Sequence, residues 1–284
     1  MKLLVEPSSS SSTSYERADG VILALAGYSV ESVCSFSLEE IRTIQKNYSG
    51  EVFVKVNRNF FNEDIEGLKE VLKELDAMHV AGVFFYDLAV LQIKRELSLS
   101  LPLVWNQTHM VNNYRTCDYY YDHGVTYALL GKEITLEEID EILDQSKISC
   151  MVEVVSRPSV AFSKRKLVSN YYSDLGETGS KDLFVQEKVT GDFYHVLEDD
   201  YGTCFFLDKI TNGTSVLQNL FEHHCPYVIF REYGIDDFKT LVDDTKKYID
   251  GNCKDIGYVS QYEKLGDSTN FFFKKTIYKV KKNG

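Results

Sequence analysis

Short runs of β-branched and aromatic residues recur along the chain, and stretches with helical periodicity separate most of them. The eight runs are residues 3–5, 20–25, 52–56, 82–85, 103–105, 126–130, 149–155 and 227–230. Successive runs lie roughly 25–30 residues apart, which is typical of repeated strand–helix units. Several runs lack polar alternation, as expected for strands that are buried on both faces. The chain is therefore expected to form an α/β fold around a parallel sheet.

Eight strand–helix units predict a TIM-like (β/α)₈ barrel, and a doubly wound open sheet is the main rival. The sequence holds no G-x-G-x-x-G and no Walker-type loop, which weakens the usual nucleotide-binding version of that rival. Residues 135–138 have the Thr-x-x-Glu pattern of a capping box. The clearest helical segments are residues 38–46, 64–78, 88–97, 136–145 and 237–249.

The regular pattern breaks between Ser156 and Thr214. Three short β runs in this segment (184–187, 194–197 and 204–207) predict a small antiparallel β insertion between barrel strands 7 and 8. Long insertions in this fold commonly build the rim of the active site. We expect residues 1–155 to hold the first seven βα units and 156–214 an inserted helix/β-hairpin unit. Residues 215–284 would form the last barrel unit and a C-terminal tail.

Composition limits the classes of partner. Forty-three acidic residues against 31 basic ones give a net charge of −12, which argues against broad phosphate binding and leaves room only for a local basic site. The six cysteines are scattered without a C-x-x-C pair, so reduced thiols are expected and a disulfide framework or zinc site is not. No stretch approaches the roughly 18 apolar residues of a membrane span. We expect a soluble, cytoplasmic protein without membrane contact.

In such barrels the chemistry lies at the carboxyl ends of the strands. Polar residues at the predicted ends are Glu6, Asn57, Asp87, Asn106, Gln107, Thr108, His109, Lys132, Glu133, Glu153 and Arg157. The fifth end is the densest, because Gln107, His109 and Asn113 offer amide donors and acceptors and a group that titrates near neutrality. Polar loops also begin helices in this way, so Thr108 or Asn112 is equally suited to an N-cap.

Three residues are candidate acids or bases: His109, Glu133 and Glu153. Lys132 and Glu133 follow the sixth strand, where they can orient a substrate and move protons, or form a surface ion pair of little energetic value. Glu153 lies in a very apolar strand, so its carboxylate, if buried, requires a partner or a raised pKa. The candidate substrate-binding residues are Asn57, Gln107, Asn113, Lys132, Ser163, Lys164, Arg165 and Asn170.

Residues 164–166 form a cationic triplet, Lys-Arg-Lys, just beyond the seventh strand. Such a cluster beside a strand end can hold an anion or a phosphate. The alternative is a solvated helix face, which is the commoner fate of a short charged run. Ser163 and Asn170 flank the triplet.

Six motifs in this order resemble the short-form members of peptidase family U32, the collagenase-like peptidases. They are WNQTH (105–109) with NYRTCDYY (113–120), GKEIT (131–135), FSKR (162–165) with NY (170–171), EDDYGT (198–203) and FFFK (271–274). The resemblance covers nearly the whole chain and implies a TIM-like barrel with an inserted β unit. It implies proteolysis in some members, and in others RNA hydroxylation at tRNA uridine or ribosomal cytidine, with prephenate linked to the reaction. Further members hold a [4Fe–4S] cluster and serve ubiquinone hydroxylation.

The chain departs from this family pattern after the seventh strand. Val155-Ser156 stands where relatives carry a His-Gly pair, and Ser159 and Lys166 stand where cluster-bearing relatives have cysteines. No cysteine occurs between Cys150 and Cys204. A thiolate-ligated [4Fe–4S] cluster is therefore not expected, and no other cofactor is evident.

Three functions are consistent with these residues. The first is a peptidase in which His109, Glu133 or Glu153 acts through water. The second, which we prefer, is a tRNA uridine hydroxylation factor whose cations hold a phosphate or carboxylate, with tRNA or an anionic small molecule as partner. Those cations are Lys132 and residues 164–166. The third is a non-catalytic barrel subunit that partners a longer U32 paralogue.

Overall fold

The chain folds as a closed barrel of parallel strands, seen here in a computed structural model. The structure describes residues 1–107, 110–251, 253–266, 269 and 271–274. In chain order the strands are β1 (Lys2–Glu6), β2 (Gly20–Ala24), β3 (Glu51–Val56), β4 (Gly82–Phe85), β5 (Leu103–Trp105), β6 (Tyr127–Leu129), β7 (Ser149–Ser156), β8 (Ser159–Ser163), β9 (Asp182–Gln186), β10 (Phe193–Glu198), β11 (Thr203–Leu207), β12 (Thr211–Asn212) and β13 (Tyr227–Arg231).

Eight of these strands close the ring in the order β1-β2-β3-β4-β5-β6-β7-β13, and every neighbouring pair is parallel. The last barrel strand lies between β7 and β1, so the two ends of the barrel sequence meet at one seam. At this seam Lys2 pairs with Tyr227 and Glu6 with Arg231. The predicted (β/α)₈ barrel is confirmed, and the open sheet is excluded.

Helices lie between most barrel strands. They are α1 (Leu38–Asn47), α2 (Ile65–Ala77), α3 (Leu88–Glu96), α4 (Tyr114–Asp122), α5 (Leu136–Gln145), α6 (Leu167–Leu175), α7 (Leu217–Glu222), α8 (Phe238–Asp250) and α9 (Ile256–Tyr262). The five predicted helices agree with α1, α2, α3, α5 and α8 to within one residue at each end. Helix α4 was not predicted because its buried face is made by Cys117 and by Tyr120, which stacks on Trp105 at 3.8 Å between ring centroids.

Two apolar layers hold the barrel together. The inner layer fills the ring and consists of Leu4, Ile22, Phe53, Phe84, Val104, Leu129, Met151, Tyr227 and Ile229. The outer layer lies between strands and helices and includes Ile41 of α1 and Leu68 of α2. Phe53 meets Tyr127 and Tyr227 edge to face at 5.8 Å, so aromatic rings fill the centre of the ring. The interior is a packed core, as in other barrels of this class.

A second, antiparallel sheet follows β7 and has the strand order β8-β11-β10-β9. The predicted insertion between the seventh and eighth barrel strands is therefore confirmed, with β8 as a further strand that the sequence did not reveal. Glu198 of β10 anchors α6, because its carboxylate accepts hydrogen bonds from the backbone N–H groups of Val168 at 2.7 Å and Ser169 at 3.2 Å. Strand β12 then pairs antiparallel with the end of β7 and returns the chain to the barrel.

In the part of the chain that the structure describes, no helix has both the length and the apolar character needed to cross a bilayer.

Capping boxes begin two barrel helices. Thr135 caps α5 through Glu138, as predicted, and Ser37 caps α1 through Glu40. In α1, the Glu40 N–H donates to Ser37 Oγ at 3.2 Å, and the Ser37 N–H donates to Glu40 Oε2 at 2.7 Å. Both bonds satisfy N–H groups that have no partner within the helix.

We expect Ser37→Ala to lower the free energy of unfolding by about 1 kcal/mol, because the exposed helix start loses its side-chain acceptor. Ser37→Thr keeps a hydroxyl at the same place and is the matched control, with a loss well below that of the alanine variant. Urea denaturation followed by circular dichroism measures both. Equal losses for the two variants would show that the hydroxyl does not stabilise the helix.

Candidate functional site

Charged side chains gather inside the barrel at the carboxyl ends of its strands. Side chains alternate between the two faces of a strand, so the residue two positions after an inner-layer residue also points inward. Leu4, Phe53, Met151 and Ile229 belong to the inner apolar layer. The residues two positions further along are Glu6, Lys55, Glu153 and Arg231. The apolar interior therefore ends in a charged layer, which we call the mouth layer.

The mouth layer is one continuous chain of ion pairs. Lys55 Nζ lies 3.0 Å from Glu6 Oε1, and the other Glu6 oxygen accepts a hydrogen bond from Arg231. Arg231 Nε donates to Glu153 Oε2 at 2.6 Å. Lys132, from the turn after β6, approaches Glu153 Oε1 at 2.9 Å. Each buried carboxylate thus lies between two cations, which meets the requirement for a partner that burial imposes.

The ion pairs set the protonation states of the buried carboxyls. Burial by itself raises the pKa of Glu153, but the Arg231 and Lys132 cations outweigh burial and hold that pKa below its usual value. Glu6 behaves in the same way, with Arg231 and Lys55 as the opposing cations, so its pKa is also lowered. Both carboxyls are therefore ionised near neutral pH, and neither is a ready proton donor.

Lys55 also holds the loop that follows β2. Its ammonium group donates to the Glu31 carbonyl at 3.1 Å and to Ser32 Oγ at 2.5 Å, in addition to Glu6. Three acceptors use all three ammonium protons. Glu31 adopts a left-handed backbone with φ of 59°, which is uncommon for a non-glycine residue. Its carboxylate accepts a hydrogen bond from the Tyr86 hydroxyl at 2.5 Å. Lys55 and Tyr86 thus fix a strained loop beside the site.

A small cavity of about 30 Å³ opens above the mouth layer. We call it the mouth cavity; its wall includes Glu6, Lys55, Asn106, Lys132, Arg157, Arg231, Phe206 and Tyr233. Phe206 belongs to the inserted sheet, so the insertion forms part of the wall. Asn106 is 3% exposed, and in the described part of the chain its Oδ1 has no hydrogen-bond partner. A buried acceptor without a partner favours a bound water or a ligand that donates a hydrogen bond.

Two of the predicted site residues lie in this network. Glu153 and Lys132 form an ion pair in the mouth layer, with Ser156 Oγ donating to Glu153 at 2.5 Å. Gln107 donates its amide to the Tyr86 carbonyl at 2.6 Å. Glu133 is exposed in the turn after β6. The catalytic roles of Glu133 and Glu153 stay predictions.

His109, together with Thr108, lies outside the described residues. The role of His109 as an acid or base stays a prediction.

Two predicted substrate-binding amides have roles within the fold. The Asn57 side chain exchanges hydrogen bonds of 3.1 and 3.2 Å with the backbone N–H and carbonyl of Val30. Asn113 is the N-cap of α4 and accepts the Thr116 N–H at 2.9 Å. Asn57 is fully buried and Asn113 is exposed, and neither belongs to the wall of the mouth cavity. Their roles as substrate ligands stay predictions.

The remaining predicted ligands lie in the insertion, away from the mouth layer. Ser163 Oγ accepts the Arg165 N–H at 3.2 Å, and Asn170 is exposed on α6. Lys164 lies over the Phe61 ring at 4.4 Å and lines a separate groove with Arg58 and Tyr201. This groove we call the rim groove.

The third cation of the triplet, Lys166, pairs with Asp200 at 2.9 Å. Lys164 and Lys132 thus line two different cavities.

Sequence reasoning missed Lys55 and Arg231, which belong to buried strands. The signal that would have found them is positional. A charged residue two places after an apolar inward-facing residue extends the interior into a polar layer. That rule requires knowing which residues of a strand face inward, and strands buried on both faces do not show this in their pattern.

The segment after β7 does not fit an iron–sulfur cluster. Ser156 hydrogen-bonds to Glu153, and Ser159 Oγ lies 3.3 Å from Cys204 Sγ. Burial raises the pKa of the Cys204 thiol to about 12, which opposes the thiolate form that iron ligation needs. The residues present here thus supply no suitable set of donors.

We expect Glu153→Gln to lower the free energy of unfolding at neutral pH by about 3 kcal/mol, because Arg231 and Lys132 lose their shared buried counter-charge. The folded pKa of Glu153 lies below its usual value, so its contribution is complete above about pH 5 and declines as the pH falls. The difference between wild type and variant should therefore shrink towards about pH 3. Urea denaturation across this range measures it.

The control for this prediction is Glu133→Gln, which removes an exposed carboxylate in the same region and should leave stability nearly unchanged. A difference that stays constant as the pH falls would show that the charge of Glu153 does not stabilise the fold.

Comparisons with known proteins agree with this architecture. The chain is similar to tRNA hydroxylation protein P2 of Bacillus subtilis (strain 168), at 27% identity over 98% of this chain and 99% of that protein. It is also similar to tRNA hydroxylation protein P1 of the same strain, at 24% identity over 54% of this chain and 37% of that longer protein. Among solved structures, the U32 peptidase Mk0906 superposes with a TM-score of 0.52 at 14% identity.

The superposition with Mk0906 covers 82% of this chain and 94% of that structure, and at this level of identity it shows the fold alone. The family match comes from sequence. The model of peptidase family U32 matches residues 9–182, which is more than half of the 284 residues. The chain therefore belongs to peptidase family U32.

Proposed function

We propose that this protein takes part in the hydroxylation of tRNA uridines, and that the mouth cavity binds the small polar group on which the reaction depends. The observation that carries the proposal is the chemistry of that cavity. Its wall holds the cations Lys132, Arg157 and Arg231, together with Lys55, whose three protons already bind acceptors of the fold, and the carboxylates Glu6 and Glu31. The near full-length similarity to tRNA hydroxylation protein P2 supports the same function.

Carboxylates match the four cations of this wall, so it carries fixed charges of both signs. Glu153 and Asp208 pair with cations of the wall without belonging to it. The guanidinium and ammonium groups are thus held in place before a ligand arrives, and they need little rearrangement to meet a carboxylate or phosphate. Asn106 adds a buried acceptor that suits a ligand N–H or O–H. Together these groups favour a small anionic group.

A peptide substrate fits the cavity less well. Extended peptides are usually bound along an open sheet edge or a groove. The strands around the mouth layer are paired on both sides in the closed ring, so they offer no free edge. The inserted sheet also contributes Phe206 to the wall and narrows the approach. This geometry is the reason why we prefer hydroxylation to proteolysis despite the family name.

The rim groove is the place where we expect tRNA to contact the insertion. Phe61 is 59% exposed and Tyr201 is 40% exposed, and Lys164 lies over the Phe61 ring. Exposed aromatic faces beside cations are typical of sites that stack unpaired bases. The acidic residues Glu63 and Asp200 also line this groove, so tRNA binding would need a second basic surface. A longer U32 paralogue is the partner that we propose to supply it.

We expect Lys132→Met to reduce hydroxyuridine in cellular tRNA at least about tenfold, since the cavity loses a fixed cation. A strain lacking the gene would be complemented with each variant, and tRNA nucleosides would be measured by mass spectrometry. Wild type and Lys147→Met should both restore the modification, because Lys147 pairs with Asp122 on the surface outside the mouth. Casein digestion by the purified protein should stay at background.

Two results would overturn the proposal. One is a deletion strain whose tRNA keeps its normal level of hydroxyuridine. The other is clear proteolysis that Glu133→Ala or His109→Ala abolishes, which would instead support a peptidase. Circular dichroism of Lys132→Met checks that the loss of modification does not come from unfolding.

A further inference from the structure

Three titratable side chains from different elements form a second hydrogen-bonded chain at the mouth cavity. His195 of β10 is 5% exposed, and its Nε2 lies 2.5 Å from Asp182 Oδ1 of β9. The Tyr233 hydroxyl, from the loop after β13, bonds to Nδ1 of the same imidazole. Tyr233 lines the mouth cavity, whereas the Asp182 side chain is 69% exposed on the far side of His195. The three groups therefore connect the cavity with solvent.

The partners define the direction of each hydrogen bond. An ionised carboxylate only accepts, so the imidazole proton lies on Nε2 and is donated to Asp182. The other ring nitrogen, Nδ1, then carries a lone pair and accepts the proton of the Tyr233 hydroxyl. A base held by a carboxylate and bonded to a hydroxyl is the arrangement by which proteins activate an O–H group.

The surroundings favour proton transfer over solvation. The His195 ring stacks on Phe184 at 4.7 Å and lies 6.5 Å from Phe206, so apolar faces shield it from water. The Arg157 guanidinium lies 5.2 Å from the centre of the Tyr233 ring. A guanidinium packed over the face of the phenol helps to hold the Tyr233 ring in place. None of these groups belongs to the ion-pair chain of the mouth layer.

We propose that Tyr233 is a catalytic acid–base group of the mouth cavity and that His195 and Asp182 are its positioning residues. In the forward step, an O–H or N–H group of the bound molecule gives its proton to Tyr233 Oη, while the Tyr233 proton moves to His195 Nδ1. The imidazolium keeps its Nε2–H on the Asp182 carboxylate. The reverse transfers return one proton to the product and restore the starting state. The catalytic part of this inference rests on the proposed function, whereas the hydrogen-bonded chain does not.

Nitrogen NMR of the imidazole rings tests the chain without any assay of activity. His195 is assigned by the signals that disappear in His195→Gln. We expect a slowly exchanging Nε2–H and an unprotonated Nδ1 whose chemical shift moves when Tyr233→Phe removes its donor. In Asp182→Asn we expect the proton to move to Nδ1, because the carboxylate that holds it on Nε2 is gone. A proton on Nδ1 in the wild type, or an Nδ1 shift that ignores Tyr233→Phe, would refute the chain.

Complementation of the deletion strain tests the catalytic role. Tyr233→Phe should lower tRNA hydroxyuridine at least about tenfold, and His195→Gln should do the same, since glutamine can accept the hydrogen bond but not the proton. Tyr194→Phe and Asp174→Asn are the matched controls in the insertion and should behave as wild type. Thermal unfolding of the purified variants checks that each is folded.

The two arms separate the possible failures. If wild type restores hydroxyuridine and Tyr233→Phe restores it equally, the acid–base role is refuted while the proposed function stands. If the deletion strain shows no loss of hydroxyuridine, the proposed function is refuted, and the NMR result alone decides whether the hydrogen-bonded chain exists.

Discussion

Buried charge at the seam of the barrel is the constraint on which the rest of the structure depends. Glu6 ends the first strand and Arg231 ends the last, and the register places them side by side. Each needs charged partners inside the barrel, because an unpaired ion in a protein interior costs several kcal/mol. Closure of the ring and assembly of the mouth layer are therefore one event. A chain that failed to close at this seam would lose the Glu6–Arg231 pair, which joins the Lys55–Glu6 pair to the Arg231–Glu153 pair.

This coupling explains why the fold was easier to predict than the site. Parallel strands buried on both faces are continuous apolar runs, and eight such runs are visible in the sequence. The sequence does not predict strand β8, because residues 159–163 form a short, half-exposed and only weakly apolar segment. The sequence does not predict helix α4, because tyrosines make up much of its length and are equally typical of strands. In both segments the local sequence is compatible with more than one secondary structure, and tertiary contacts decide which one forms.

The site was predicted in part for a different reason. Lys132 and Glu153 were identified because they stand at strand ends, where barrels place their chemistry. Lys55 lies one residue before the end of β3 and Arg231 at the end of β13, and the sequence does not say which face of either strand points inward. Which residues of a strand face the interior becomes known only when the neighbouring strands are placed, since a shift of one residue exchanges the two faces. Contacts between distant residues, such as His195 with Tyr233, are equally invisible.

The insertion changes what the barrel is able to bind. Phe206 and Ser159 of the inserted sheet line the same cavity as Glu6 and Lys55 of the barrel. The insertion therefore gives the site a wall that a barrel without an insertion lacks. That wall confines the cavity and brings His195 to Tyr233, which places an imidazole beside a layer of fixed ions. Fixed charges orient a ligand, whereas the imidazole can accept a proton. Fixed ions and a proton acceptor thus converge on one confined space at the barrel mouth.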